Sequence, residues 1–155
     1  RELSQRPLPL LVADLGEQPA EAILREIGEP RLRGMLRLAG YIPNSDLPAI
    51  YNRASAFLYT SLRESFGIPQ LEAMACGTPV VTSATSAIPE VAGEGAILVD
   101  PTDPKAIADA LLRLETDAAF RARQVAYGLE RVKRFSWEKT ARHLLALYES
   151  LGKTN

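Results

Sequence analysis

Two carboxylates bracket a strand-to-helix junction in the stretch ESFGIPQLEAMACGTPV, residues 64–80. Glu64 and Glu72 stand eight positions apart, too far to be the stacked pair of a single helical face, whose partners are three or four apart. Pro69 suits the first turn of a helix, where a missing N–H costs nothing, and Gly77 suits the position where a helix stops. The amides of Gly67, Ile68, Gln70 and Leu71 then fall at the mouth of a short helix. Unpaired donors there, with the positive end of the helix dipole, favour a diphosphate. Gly67 is expected to let the backbone approach that ligand with no Cβ in the way. An anion cradle repels carboxylates, so both glutamates should aim past the phosphates at neutral hydroxyls. Glu72 would take the vicinal diol of a ribose, and Glu64 a sugar on the other side. The plainer alternative is that Glu72 gains only from the helix dipole while Glu64 solvates a loop.

Short apolar runs alternate with segments of helical period, which is the pattern of βαβ units with a parallel sheet. Strands are expected at 8–13, 36–39, 56–60, 79–82 and 96–99. Crossover helices are expected in QPAEAILREIG, with Ala22, Ile23 and Ile27 on one side, and in SDLPAIYNRAS, opened by Ser45 and Asp46. Asp103 should cap a helix that begins at Pro104 and buries Ile107, Ala110, Leu111 and Leu114. Two more helices follow, over 118–134 and, after Ser136, over 137–151. Ligands of such sheets bind beyond the carboxyl ends of the strands, and the 60–68 loop leaves one of these ends.

The chain has 155 residues, within the usual range of one compact domain, with 46% hydrophobic and 24% charged residues. A net charge of -1 exerts no long-range pull toward nucleic acid or anionic membrane. The single cysteine, Cys76, rules out an intramolecular disulfide framework and suggests a reducing, cytoplasmic setting. No apolar run approaches the length that spans a bilayer, and no cluster of His, Cys or carboxylates has metal-ligand spacing. His143, the only histidine, sits among Leu144, Leu145 and Leu147 and is expected to pack or face solvent. Cys76 is expected to be inert. Arg63 reads as an exposed loop residue, Glu90 as either a site residue or a helix-start acid, and the basic run at 121–135 as an ordinary amphipathic face.

The stretch from Glu64 to Val81 resembles the signature of retaining glycosyltransferases of family 4 (glycosyl transferases group 1), E-x-F-G-x-x-x-x-E-A-M-A-x-G-x-P-V, at every fixed position. The resemblance continues upstream in LAGYIPNSDLPAIYNRASAFLYTS and downstream in IPEVAGEGAILVDPTDPKAIADALLRL and RFSW. It implies the C-terminal, donor-binding half of a GT-B enzyme: a Rossmann-like parallel sheet flanked by helices over 1–151, with a frayed tail at 152–155. It also implies that Glu72 binds the nucleotide ribose, and that Glu64, given the catalytic role, contacts the transferred hexose. Ser65, Phe66, Gly67 and Ile68 would lie along that sugar, Gln70 and Leu71 would offer amides to the diphosphate, and Gly40, Tyr41 and Ile42 would form the loop around the base. The partners implied are a nucleotide-sugar donor, with GDP-mannose a weak preference, and an N-terminal acceptor-binding domain missing here. No metal or other cofactor and no nucleic acid are expected. Peripheral association of the full enzyme with the inner face of the cell membrane stays open. The family's Arg/Lys segment that neutralises the leaving diphosphate is not found, so this chain is expected to be a fragment, inactive alone. The alternative is a non-catalytic nucleotide-binding or regulatory module.

Overall fold

The structure, a computed structural model, describes residues 8–152. The expected frayed tail lies outside them except for Gly152, which closes the last helix. The chain forms two compact units, one up to Ile50 and one from Tyr51 onward.

In the first unit, β1 (Leu10–Ala13) and β2 (Leu36–Gly40) pair in parallel, with Leu10 opposite Leu36 and an irregularity between Val12 and Ala13. Between them run α1 (Glu17–Ile27) and a 3-10 segment, Pro30–Met35. Arg33 reaches back to Glu17 and Glu21 at 2.6 Å each. All three side chains are largely exposed, so this clamp adds little to stability. The side of α1 that is buried carries Ala20 and Leu24. Ile23 and Ile27, expected to share a face with Ala22, are about half exposed, at 46% and 53%. They line an apolar depression of about 590 Å³ together with Leu8, Leu10 and Val12. Period alone could not separate the two flanks of this helix, because apolar residues occupy both.

The second unit begins within α2 (Leu47–Arg53). Its sheet is parallel in the order β3 (Phe57–Tyr59), β4 (Val80–Ser83), β5 (Ala96–Val99). The register sets Tyr59 opposite Thr82, and Thr82 opposite Leu98. All four residues of β4 are buried, as a central strand covered on both faces requires. Helix α3 (Ile68–Ala75) joins β3 to β4; a short α4 (Ile88–Ala92) and a 3-10 turn, Gly93–Gly95, join β4 to β5. Then come α5 (Pro104–Thr116), α6 (Ala118–Val132) and α7 (Trp137–Gly152).

The capping follows the sequence. Asp103 accepts from the amides of Lys105 and Ala106 at 2.9 and 3.1 Å, and Asp117 from that of Phe120 at 2.8 Å. One core joins Val81 and Val99 of the sheet to Ala110, Leu114 and Phe120, with Ile107 and Leu111 partly buried against it. Helix α7 buries none of its residues.

Helix α3 sits close to α6 because small residues let it. A Cβ placed on Gly128 would stand 3.1 Å from Met74 Cγ, and one on Gly95 would meet Arg131 Cβ at 3.0 Å and Met74 Sδ at 3.1 Å. Met74 itself is 1% exposed and has nowhere to retreat. Gly128→Ala should therefore destabilise the second unit by about 1–3 kcal/mol through overpacking, read as a lower melting temperature, and Met74→Val in the same chain should recover part of the loss. An unchanged melting temperature would contradict this packing.

Candidate active site

Beyond Tyr59 the chain leaves the sheet, and its carbonyl groups lose their strand partners. Hydroxyl side chains of the next strand and its exit loop supply replacements. Thr82 Oγ1 donates to Tyr59 O at 2.9 Å, Ser83 Oγ to Ser61 O at 2.6 Å, Thr85 Oγ1 to Leu62 O at 3.4 Å and Ser86 Oγ to Glu64 O at 2.6 Å. Ser86 Oγ also accepts from the Glu64 amide at 3.2 Å, so both main-chain groups of Glu64 rest on one side chain. Each such bond contributes about 0.5–1.5 kcal/mol net. Ser86 holds a left-handed φ of 59° to do this, a conformation that costs a non-glycine residue energy and concentrates at functional sites.

Gly67 is the N-cap of α3 with φ 83°. A Cβ there would meet Gln70 Nε2 at 2.9 Å, because the Gln70 side chain folds back beneath the turn and donates to Phe66 O at 3.4 Å. The left-handed backbone at Gly67 favours a glycine by itself, and a Cβ would also displace the Gln70 amide. Gly67 and Gln70 are buried, whereas Ser65, Phe66 and Ile68 around them are exposed. Gln70 Oε1 is buried without a hydrogen-bond partner among the described residues. Phe66 meets Phe135 edge to face at 5.6 Å, and the Arg131 guanidinium lies 5.1 Å from the Phe135 ring. Arg131 also donates to the carbonyls of Val91, at 2.8 Å, and Glu90, joining the end of α4 to the support under Phe66.

Glu72 emerges exposed from α3, and Glu64 is half-buried in the loop before it. Neither forms an ion pair with Lys or Arg among the described residues. Each accepts from a phenol instead: Tyr51 Oη–H reaches Glu72 Oε2 at 3.3 Å, and Tyr59 Oη–H reaches Glu64 Oε1 at 2.5 Å. Residues 64–72 all belong to the second unit. Gly40, Tyr41 and Ile42 belong to the first, at the end of β2, where Gly40 has φ 61° and Tyr41 is 77% exposed.

The other residues singled out by the sequence lie elsewhere. His143 is exposed on α7 and Arg63 is exposed in the loop, while Cys76 is partly buried at the end of α3. No group of three or more His, Cys, Asp or Glu converges among the described residues. Sequence reasoning missed Tyr51, Tyr59 and Ser86. The hydroxyl residues Thr82, Ser83, Thr85 and Ser86, at the end of a buried strand and just beyond it, were the available signal for the last of these.

Burial, reinforced by the facing Glu72 carboxylate, pushes the Tyr51 phenol up to about 12, and burial with the Glu64 hydrogen bond pushes Tyr59 higher still. Folded-state values above the unfolded ones mean that these phenols cost no stability below about pH 10. Stability falls as pH rises past about 10, where the unfolded chain ionises and the folded chain does not. In a spectrophotometric titration, Tyr51→Phe and Tyr59→Phe should remove amplitude only from the phase at pH 12 and above. Loss of amplitude near the ordinary phenol value would contradict the two contacts.

Over 118 residues the chain is 42% identical to the O-antigen chain mannosyltransferase B of Escherichia coli, covering 76% of this chain and 31% of that protein. It is 38% identical over 133 residues to the D-inositol 3-phosphate glycosyltransferase of Corynebacterium urealyticum, covering 84% and 31%. The chain therefore spans about a third of the length of these relatives. Among solved structures, a sucrose-phosphate synthase from Thermosynechococcus elongatus superimposes with a TM-score of 0.80 at 30% identity, over 96% of this chain and 39% of the other. The Anabaena HepE structure in complex with UDP shares the fold at 20% identity and a TM-score of 0.80, over 92% and 41%. The model of the family described as glycosyl transferases group 1 matches residues 1–131, which include both glutamates and the whole strand–loop–helix that carries them, and the chain belongs to that family.

Proposed function

We propose that this chain is the donor-binding, C-terminal half of a retaining family 4 glycosyltransferase that takes a hexose from a nucleotide-diphosphate sugar. The observation that carries the reading is the pair Glu64 and Glu72, both without a basic partner among the described residues, flanking the N-terminus of α3. An ion-paired carboxylate would be spent on its cation; these two remain able to accept hydroxyl protons.

In this reading the diphosphate lies against the first amides of α3, where donors are unpaired and the dipole is positive. Glu72 takes the ribose diol, and Glu64, with Ser65, Phe66, Gly67 and Ile68, lines the hexose. Gln70 and Leu71 offer main-chain N–H groups to the diphosphate. GDP-mannose is the donor we favour, supported by the relative described as an O-antigen chain mannosyltransferase. Transfer with retention would follow from same-face attack, the departing phosphate assisting the acceptor, with no resident metal. The acceptor is proposed to be a glycan or lipid-linked sugar, held by a further domain of the full enzyme, which would work in the cytoplasm or at the inner face of the membrane. This chain alone should then bind donor without turning it over.

Calorimetric titration of GDP and UDP into the chain should give saturable binding with one of them, unaffected by EDTA. Glu72→Ala should weaken it about 10- to 100-fold, the scale of one or two charge-assisted hydrogen bonds. Absence of saturable heat with either nucleotide at millimolar concentration, or Glu72→Ala binding as wild type does, would overturn the proposal. Hexose transfer by the chain alone would overturn its inactivity.

A further inference from the structure

Three aromatic rings stand in series in the second unit. Phe57 meets Tyr51 edge to face at 5.2 Å and stacks on Tyr59 at 5.8 Å with 18° between planes. The phenols at the two ends of this row go to the two carboxylates of the glutamate pair, Tyr51 to Glu72 and Tyr59 to Glu64. Packing alone would be served by phenylalanine at both ends, since a buried hydroxyl adds nothing to a core and needs a partner. The Tyr51 ring is 7% exposed, and its carbonyl is pinned by Thr78 Oγ1 at 2.6 Å, so the hydroxyl cannot swing away to water without moving α2. Tyr59 lies on β3 directly opposite Thr82, whose hydroxyl donates to its carbonyl. Both phenols stay protonated at any physiological pH and remain donors.

A free glutamate has three rotatable bonds and samples many orientations; binding a hydroxyl then costs the entropy of choosing one. A phenol behind the carboxylate makes that choice in advance. It occupies one lone pair of one oxygen and leaves the remaining acceptor sites of an ionised carboxylate open. We infer that Tyr51 and Tyr59 are positioning residues for donor recognition, Tyr51 fixing Glu72 for the ribose diol and Tyr59 fixing Glu64 for the hydroxyls of the transferred hexose. This rests on the donor-binding reading above and adds to it a division of labour: each tyrosine serves a different part of one ligand. The shared row of rings makes the two positions parts of one rigid element rather than independent side chains.

The division of labour makes the test specific. Wild type, Tyr51→Phe and Tyr59→Phe, each verified by its melting curve, are titrated with GDP, dideoxy-GDP and GDP-mannose, and with the matching uridine and UDP-glucose series. Tyr51→Phe should weaken the ribose diphosphate about three- to tenfold, the size of one modest hydrogen bond, and leave the dideoxy analogue unaffected. Tyr59→Phe should bind the bare diphosphate as wild type does and weaken the sugar nucleotide by a similar factor. Equal losses on every ligand would assign the hydroxyls to structure and overturn the inference, as would no loss on any. Those results, with the wild type binding normally, leave the donor-binding reading standing. A wild type that binds none of the ligands overturns both.

Discussion

The carbonyl groups of Tyr59, at the end of β3, and of Ser61, Leu62 and Glu64, in the loop beyond it, accept from four hydroxyls, on Thr82, Ser83, Thr85 and Ser86. Everything that follows in the site depends on that row of bonds. A loop that must expose a carboxylate cannot bury itself for rigidity, and a sheet cannot continue where a ligand is to lie. Side-chain hydroxyls from the buried neighbouring strand and its exit loop answer both difficulties, since they satisfy backbone acceptors that the sheet no longer pairs. Ser86 completes the row at the cost of a left-handed backbone, a cost that a merely connecting loop would have no reason to carry.

From that fixed loop the chain turns at Gly67 into α3, and the turn is tight because Gln70 fills the space beneath it. The helix is held in turn by Met74 against Gly95 and Gly128. A short helix with its start fixed this firmly presents a defined set of amides, which is what the proposed diphosphate site requires. Each of the two glutamates accepts from a phenol, Glu72 from Tyr51 and Glu64 from Tyr59.

The strands and most helices were legible because each obeys a local rule. Pro69 and Pro104 mark first turns, Asp103 caps through its own side chain, and the all-buried Val80–Ser83 reads as a continuous β-rich run. The glutamate pair was legible as a pair for the same reason, since its spacing around a helix start is local. What the sequence could not show are contacts made by topology. Tyr51 and Glu72 are 21 positions apart and meet only because α2 and α3 flank neighbouring parts of one fold. Ser86 and Glu64 are 22 apart and meet across adjacent strand ends. The buried side of α1 was ambiguous because Ile23 and Ile27 make both flanks apolar.

The most direct measurement is a crystal structure of the chain soaked with whichever nucleotide diphosphate it binds. The account predicts the diphosphate against the first amides of α3, the Glu72 carboxylate within about 3 Å of both ribose hydroxyls, and the four hydroxyl-to-carbonyl bonds under the loop unchanged. A nucleotide seated elsewhere, or one bound with Glu72 turned away and the 59–64 segment rebuilt, would contradict it.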